Sequence, residues 1–470
     1  MSGFTGTIQL VYVVAAACFV IGLHLMNSPA TARRGNQVST AGMVIAGVAT
    51  LILLIHDGTV TATGWIVLIS GTLIGSAVGL YAAQGVQMTA MPQLVSMFNS
   101  VGGGAAALVA IYGYIHSESN GGGVLGTTTV FTLIDVLIGS VTFSGSIVAA
   151  GKLQGLIGGQ PIIFKGSRLI NVGLAVIAIG AAAFLLSTAS LPGLLIVVLA
   201  AMAFGVMMVL PIGGADMPVV ISLLNAFTGT AVAMAGFVIG NWALIVAGAL
   251  VGASGAILTK LMADAMNRSL TNIIVGGFGT GDTAVALGVA GDVQVRSIAA
   301  DDAAIQLAYA AKVIIVPGYG LAAAQAQHGV AELAKTLEER GIEVSYAIHP
   351  VAGRMPGHMN VLLAEANVPY PQLKEMEEIN PEFARTDVAL VIGANDVTNP
   401  AARRAGTAIS GMPILDVDQA KSIIVIKRSM GQGYAGIENE LYIEPRTSMY
   451  FADAKKAMAE LTAAVKTLVG

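Results

Sequence analysis

Long apolar runs fill the first 261 residues of the chain, and short polar segments separate them. A membrane-spanning helix needs about 20 mostly apolar residues. The second run is short and the seventh and eighth are close together, so length alone predicts eight or nine spans. The candidate runs are residues 8–25, 40–55, 64–83, 94–115, 128–150, 169–186, 193–210, 217–239 and 242–261.

The pattern changes after residue 292, where short β-branched runs alternate with longer amphipathic segments. The runs predict strands at 312–316, 342–348, 388–392, 414–417 and 422–426. The longer segments predict helices at 299–311, 321–340, 360–366 and 451–468. Such alternation is typical of a doubly wound parallel sheet.

The two patterns together predict the fold class. We expect a membrane α-helical bundle of about nine spans, followed by an α/β Rossmann-like domain with a doubly wound parallel sheet. The expected limits are residues 1–261 for the membrane domain, 262–291 for a connection and 292–470 for the second domain.

Composition supports this division. Charged residues make up 11% of the chain, whereas ordinary globular domains contain roughly 25%. Only seven of the 23 Lys and Arg residues precede residue 271. The net charge of −4 gives no indication of a nucleic-acid partner. Because Cys18 is the only cysteine, a disulfide and a cysteine metal site are excluded, and no other cluster of metal ligands is evident.

The seven early basic residues predict the orientation of the spans. If the loop with Arg33 and Arg34 is cytoplasmic, nine spans also place the other five on the cytoplasmic side, as the positive-inside rule requires. An even number of spans would break this pattern. The N-terminus is therefore expected outside and the second domain in the cytoplasm. The five basic residues that precede residue 271, besides Arg33 and Arg34, are Lys152, Lys165, Arg168, Lys260 and Arg268.

Small residues are frequent within the spans. Three glycines are consecutive at 102–104, and Gly248 and Gly252 are four residues apart in the ninth span. Small residues allow helices to approach closely, so tight packing is the simpler interpretation. The alternative is a flexible or water-lined seam.

Polar side chains inside spans are costly and are often functional. Asp216 follows the sequence PIGGA and could simply cap a helix N-terminus. Asp135 lies close to the predicted outer end of its span and is expected to reach water. Asn99 and Asn225 could join neighbouring helices by hydrogen bonds.

A dinucleotide-binding fingerprint follows the predicted strand 312–316. Gly318, Gly320 and Ala323 have the Gly-x-Gly-x-x-Ala spacing, which gives a tight turn and close backbone approach to a pyrophosphate. The N-terminus of the following helix would supply N–H groups and a positive dipole. A glycine turn that binds no ligand remains the alternative.

The sequence after the second strand favours NADP(H) over NAD(H). NAD-binding domains carry an acidic residue about 20 residues beyond the fingerprint. Here the strand continues into HPVAGR at residues 349–354, which contains no carboxylate. Arg354 and the Lys427-Arg428-Ser429 group can instead bind a 2′-phosphate. Alternatively, Lys427 and Arg428 are only a solvated strand end.

Two further loops follow predicted strands, at the carboxyl ends where ligands bind in open α/β sheets. They are GAND at residues 393–396 and the glycine-rich GQGYAG at 431–436, which suits a mobile lid. Ordinary turns are the alternative for each. No nucleophile–base triad is evident, so the chemistry is expected to come from a cofactor.

Six segments together resemble the beta subunit of proton-translocating NAD(P) transhydrogenase, in the same order and over nearly the whole chain. The resemblance implies that an alpha partner of one or two chains, with further membrane helices, binds NAD(H). This chain would bind NADP(H), and hydride transfer would be coupled to proton movement. It also implies a bacterial inner membrane and a dimer of the heteromeric unit. The segments are residues 216–225, 265–268, 317–325, 349–359, 393–401 and 427–436.

The resemblance also implies roles for individual residues. Lys427, Arg428 and Ser429 would hold the 2′-phosphate, and the loop with Tyr434 would close over the cofactor. The family binds its cofactor in a flipped orientation, so the pyrophosphate need not lie on the helix after Gly318. The implied cofactor contacts are Gly318, Tyr319, Gly320, Ala323, Gln325, Val351, Ala352, Gly353, Arg354, Gly393, Ala394, Asn395, Asp396, Lys427, Arg428, Ser429, Gly433, Tyr434 and Ala435.

His349 and Asp396 would couple the redox state to the membrane. The implied proton-pathway residues are Asn99, Asp216 and Asn225. Many relatives carry a histidine where this chain has Asn99, and asparagine does not titrate. Either water and Asp216 carry the proton, or a histidine in a partner's span faces Asn99, which we favour. The competing functional hypothesis is a channel or transporter gated by an NADP(H)-sensing domain.

Overall fold

The computed structural model divides into two compact units, which are Met1–Gly213 with Val219–Thr259, and Gly214–Pro218 with Lys260–Gly470. Each unit is described by itself. The residues that the structure describes are 3–26, 29–58, 60–119, 127–158, 162, 164–188, 190–213, 216–265, 295–353, 357–405, 407, 409–431, 433 and 437–468.

Within the described residues, nine helices are long and apolar enough to cross a membrane, which confirms the predicted bundle. The second is 29 residues long and includes Arg33 and Arg34, because the helix continues beyond the apolar run that revealed it. The nine are α1 (Gly3–Leu25), α2 (Pro29–Asp57), α3 (Ala62–Gly85), α4 (Met91–Ser119), α5 (Thr127–Gln154), α6 (Ser167–Leu185), α7 (Leu191–Val209), α8 (Met217–Ile239) and α9 (Trp242–Ala265).

Glycines bring α8 and α9 into backbone contact. A Cβ atom at Gly248 would lie 2.4 Å from the backbone nitrogen of Ala233, and one at Gly229 would lie 2.4 Å from that of Gly252. Such distances leave room only for hydrogen, as at other small-residue helix interfaces. The packing interpretation of Gly248 and Gly252 is therefore confirmed.

The second unit contains a parallel sheet of six strands among its described residues, with the order β3-β2-β1-β4-β5-β6. This order confirms the predicted doubly wound, Rossmann-like class. It reverses between β1 and β4, the position at which such sheets bind ligands. The strands are β1 (Lys312–Pro317), β2 (Glu343–Ile348), β3 (Leu373–Glu375), β4 (Val388–Ile392), β5 (Ser422–Lys427) and β6 (Thr447–Phe451).

The helices of this unit differ from the sequence prediction at one important break. The predicted helix 321–340 is two helices, because Gln325 has a φ angle of 51° in the left-handed region. The α-helices among the described residues of this unit are α10 (Ala300–Ala308), α11 (Tyr319–Ala323), α12 (Gln327–Glu338), α13 (His358–Glu365), α14 (Met376–Ile379) and α15 (Ala454–Thr467).

The predicted strand at 414–417 was wrong. Its backbone groups bond to partners outside the sheet: Asn380 Nδ2 donates to Ile414 O at 3.0 Å, and Asp416 N donates to Asn380 Oδ1 at 3.1 Å. Two strands were missed. β3 is a short, polar edge strand. β6 was not predicted, and its last residue, Phe451, was assigned to the predicted helix 451–468, which begins only at Ala454.

Candidate functional site

The glycines of the fingerprint allow two turns of the sheet to touch. A Cβ atom at Gly318 would lie 2.4 Å from the backbone of Ala394. Gly318 N donates to Ile392 O at 3.0 Å, and Gly320 N donates to Gly393 O at 2.9 Å. These two N–H groups are therefore used within the protein, at Ile392 of β4 and at Gly393, which follows it.

A pocket of about 260 Å³ opens at the carboxyl ends of β1, β4, β5 and β6. It contains the predicted residues Gly320, Ala323 and Gly393, together with the whole predicted phosphate group Lys427-Arg428-Ser429. The full lining is Gly320, Ala323, Ala324, Gly393, Ile426, Lys427, Arg428, Ser429, Gly431, Ala452, Asp453 and Ala454.

The pocket has the chemistry of an anion site. Lys427 is half-buried, and its Nζ donates to Gly431 O and lies 4.8 Å from the centroid of the Tyr442 ring. Burial lowers the pKa of Lys427, while the negative charge of Asp396 opposes that change. Arg428 and Ser429 are exposed at the rim. An arginine fork beside an ammonium and a hydroxyl suits a phosphate monoester.

Sequence reasoning missed the three pocket residues that follow β6, Ala452, Asp453 and Ala454. Asp453 caps α15, because its Oδ1 accepts a hydrogen bond from Lys455 N at 3.0 Å. The rule that ligands bind at strand carboxyl ends would have identified these residues. It did not point to them because the sequence predicted a helix from residue 451 and no strand before it.

Several predicted residues lie outside the lining of this pocket. The ring of Tyr319 is 6.4 Å from that of His358, and a Cβ atom at Gly353 would lie 2.4 Å from His358 Nδ1. Arg354, Tyr434 and Ala435 lie outside the described residues. The predicted residues that are described but do not line the pocket are Gly318, Tyr319, Gln325, Val351, Ala352, Gly353, Ala394, Asn395, Asp396 and Gly433.

The turn that carries Asn395 and Asp396 continues from Gly393 of the pocket. Gly433 is packed against it, because a Cβ atom there would lie 2.3 Å from Asp396 Oδ1. The structure therefore brings the three predicted loops together through their described residues, because Gly318 and Gly320 of the first loop also contact Ala394 and Gly393.

His349 is buried and holds two backbone segments together. Its Nδ1 accepts a hydrogen bond from Val351 N at 3.2 Å, and its Nε2 lies 2.9 Å from Pro413 O. Because Nδ1 accepts, Nε2 carries the proton and donates to the carbonyl. Burial lowers the pKa of His349 to about 4, and the bond to Pro413 only partly opposes this. The imidazole is therefore neutral at physiological pH.

This burial predicts a loss of stability in acid. The pKa of His349 is about 4 when folded and 6.5 ordinarily. The stabilisation is therefore complete above pH 6.5 and declines as the pH falls to 4, by up to about 3 kcal/mol. We expect the thermal midpoint of the protein to fall less between pH 7 and pH 4 in His349→Asn than in the wild type. The exposed His328→Asn is the control and should leave the profile unchanged. Parallel profiles for His349→Asn and the wild type would contradict the assignment.

The predicted proton-pathway residues lie on or beside two membrane helices. Asn99 is buried on α4, where its Nδ2 donates to Ile221 O of α8 at 3.3 Å. Its backbone carbonyl oxygen lies 3.3 Å from Thr228 Oγ1, which is also 2.9 Å from Leu224 O. Asn99 thus joins α4 to α8. Asn225 is half-buried on α8, and Asp216 is half-buried immediately before that helix.

Asn99 and nearby side-chain hydroxyl groups form a polar seam between α4, α5 and α8. Ser96 Oγ donates to Ser146 O at 2.8 Å, and Ser100 Oγ donates to Phe143 O at 2.9 Å, which joins α4 to α5. Asp135 of α5 is 0% exposed, which contradicts the expectation that it reaches water. Neither of its carboxylate oxygens has a hydrogen-bond partner among the described residues.

Known proteins with similar sequences point to one family. The family described as NAD(P) transhydrogenase beta subunit matches residues 8–464. Two relatives from Rhodospirillum rubrum, one of them assigned to a particular strain, are named NAD(P) transhydrogenase subunit beta. Each is 50% identical over 460 residues, which cover 97% of this chain and 98% of the relative. Among the described residues, no group of three or more His, Cys, Asp or Glu side chains could hold a metal.

Proposed function

The chain belongs to the NAD(P) transhydrogenase beta subunit family, and on this premise we propose that its second unit is the NADP(H)-binding domain of the enzyme. The chain is a membrane-embedded subunit of a proton-translocating NAD(P) transhydrogenase. No observation favours a nucleotide-gated channel. The proposal extends the family assignment to the choice of cofactor, the residues that hold it and the proton pathway.

The observation that carries the choice of NADP(H) is the group Lys427, Arg428 and Ser429 in the pocket at the end of β5. These side chains would hold the 2′-phosphate, which NAD(H) lacks. Lys427 is half-buried, so its charge is only partly screened by water. No carboxylate occupies residues 349–354, where an NAD-specific domain would bind the ribose 2′-hydroxyl.

The remaining predicted contacts would surround the rest of the cofactor. Bound NADP(H) supplies hydride donation or acceptance at its nicotinamide, and the protein positions it. The close contact of Gly318 and Gly320 with the turn after β4 fixes the floor of the site. Asn395 and Asp396 would lie beside the cofactor. Tyr319, the 351–354 loop and the 433–435 loop would cover it.

His349 fits a supporting role in coupling. A neutral imidazole with both nitrogens bonded to backbone transmits a shift of the 349–353 loop to Pro413 without exchanging a proton. Asp396 would be the charged member of the pair, since Asp396 interacts electrostatically with Lys427.

Asn99, Asp216 and Asn225 would lie along the proton pathway. The hydroxyl-rich seam around Asn99 supports this proposal, because such groups can relay protons through water. We propose that the titrating group facing Asn99 is a histidine of a partner's span. A partner sequence without a histidine in its membrane helices would contradict this.

The assembly follows from the family. A beta subunit implies an alpha partner, which we propose binds NAD(H) on one or two chains and adds further membrane helices. We also propose a dimer of the heteromeric unit in a bacterial inner membrane, with the N-terminus outside and the NADP(H) domain in the cytoplasm. The proposed limits remain 1–261, 262–291 and 292–470.

Replacing Arg428 with Ala tests the assignment of the 2′-phosphate site. Loss of one charge-assisted contact costs about 1.5–3 kcal/mol, so NADPH binding should weaken by about 10- to 100-fold. Assembly with the partner should be unchanged, because Arg428 is exposed at the pocket rim. The measurement is a titration of the purified complex with NADPH, together with co-purification of the partner.

Arg385→Ala is the matched control, since Arg385 is also exposed but does not line the pocket. It should bind NADPH as the wild type does. Unchanged NADPH affinity in Arg428→Ala would remove Arg428 from the site.

A further inference from the structure

The turn after β4 is bound by two residues outside the dinucleotide fingerprint, Asn439 and Tyr442. Asn439 is 4% exposed, and its Nδ2 donates to Asn395 O at 2.9 Å and lies 3.3 Å from Thr398 Oγ1. Its Oδ1 accepts from Leu441 N at 2.9 Å, so both ends of the amide are used. Asn439 therefore fixes the carbonyl of Asn395 at the edge of the proposed cofactor site.

Tyr442 holds the same turn at two further points. Its side chain is buried, and the hydroxyl lies 3.1 Å from Ala394 O and 3.0 Å from Asn395 Oδ1. A carbonyl oxygen only accepts, so the phenol donates its single proton to one of these two oxygens at a time. Burial raises the pKa of Tyr442 above its ordinary range, which keeps that proton in place. The two contacts hold the Ala394 carbonyl and the Asn395 side chain beside Tyr442.

Asn399 links the same two segments, residues 394–399 and 438–442, in the opposite direction. It is fully buried, and its Nδ2 donates to Glu438 O at 3.0 Å, while its Oδ1 accepts from Glu440 N at 3.2 Å. Each of the two segments thus contributes an asparagine that binds the backbone of the other. Buried polar groups that are all bonded in this way specify one arrangement of the backbone.

Tyr442 also reaches the phosphate-binding group. The Lys427 ammonium lies 4.8 Å from the centroid of its ring, within the range of a cation–π contact. One side chain therefore contacts both the turn that carries Asn395 and Asp396 and the cation at the end of β5.

We infer that Asn439 and Tyr442 are positioning residues of the cofactor site, which hold the Ala394–Asp396 turn and the Lys427 ammonium in the arrangement that binds NADP(H). The inference rests on the proposed function. Neither residue lines the pocket, so their effect on the cofactor passes through Asn395, Asp396 and Lys427.

The test uses the full chain assembled with its alpha partner. Tyr442→Phe removes the hydroxyl and keeps the ring under Lys427, and Asn439→Ala removes the donor to Asn395. Loss of a buried hydrogen bond should raise the KM for NADPH by about 3- to 10-fold in each, with kcat changed less. Tyr442→Leu removes the ring as well, so it should raise this KM further and reduce the preference for NADPH over NADH.

Asn380→Ala is the matched control. Asn380 also bridges two backbone segments with both ends of its amide, at Ile414 O and Asp416 N, away from the pocket. It should lower the thermal midpoint about as much as Asn439→Ala but leave the KM for NADPH unchanged. An equal rise in KM for Asn380→Ala, or an unchanged KM for Tyr442→Phe, would overturn the inference.

Two outcomes separate this inference from the proposed function. A wild-type complex that does not bind NADPH contradicts the proposed function. A wild-type complex that binds NADPH, with variants that bind it equally well, contradicts only the positioning role. If Asn439→Ala fails to assemble, the nearly isosteric Tyr442→Phe decides the question.

Discussion

Replacing Gly393 with Ala is expected to abolish NADP(H) binding and to destabilise the second unit. Gly393 has a φ angle of 66°, and a Cβ atom there would lie 2.4 Å from Gly320 Cα and 2.6 Å from Leu321 N. These are backbone atoms, which cannot rotate aside as a side chain can. The turns after β1 and β4 would have to separate, and both contribute to the pocket.

Gly341→Ala is the control for Gly393→Ala. Gly341 has a φ angle of 79°, but a Cβ atom there would have no neighbour within 4 Å. The variant should therefore be destabilised only by the left-handed backbone conformation, by about 1 kcal/mol, and should still bind NADPH. Titration with NADPH and the thermal midpoint of the complex measure both effects. If the two variants behave alike, the close approach of the turns is not required.

The sequence predicted the parts of the fold that depend on local patterns. β1, β4 and β5 each contain a buried apolar run rich in Val and Ile in the centre of the sheet, and all three were found close to their observed limits. β3 was missed because a three-residue edge strand needs no apolar run. The false strand at 414–417 contains three apolar residues, but Asn380, which lies far away in the sequence, binds its backbone.

The same distinction applies to the candidate site. Lys427 and Arg428 were recognised because charge directly after a buried strand is a local signal. Asn439 and Tyr442 carry no such signal, since their importance arises from contacts with residues 394–398, more than 40 positions earlier in the chain. A single sequence does not state which loop a buried asparagine will bind.

In the membrane unit, spacing predicted the packing of glycines but not their partners. Gly248 and Gly252 lie four residues apart, which places them on one face of a helix. That this face meets Gly229 and Ala233 of α8 is a result of the three-dimensional arrangement. The contact identifies the position in the bundle where a larger side chain should do most harm.

Gly248→Leu is accordingly expected to prevent assembly of the membrane unit. A Cβ atom at this position would lie 2.4 Å from Ala233 N and 2.7 Å from Gly229 O, so α8 and α9 would have to move apart. Overpacking of a core commonly costs about 1–3 kcal/mol even where side chains can adjust, and here the obstacles are backbone atoms. The amount of intact complex recovered from membranes, and its transhydrogenation activity, should both fall severely.

Gly180→Leu is the matched control for Gly248→Leu. Gly180 lies within α6, and a Cβ atom there would have no neighbour within 4 Å. The two variants add the same apolar side chain to a membrane helix, so they differ only in whether a neighbouring backbone occupies the space. Near-normal recovery of Gly180→Leu beside loss of Gly248→Leu would assign the effect to the contact between α8 and α9. Normal recovery and activity of Gly248→Leu would show that the bundle tolerates their separation, and the close helix packing would then have no role in assembly.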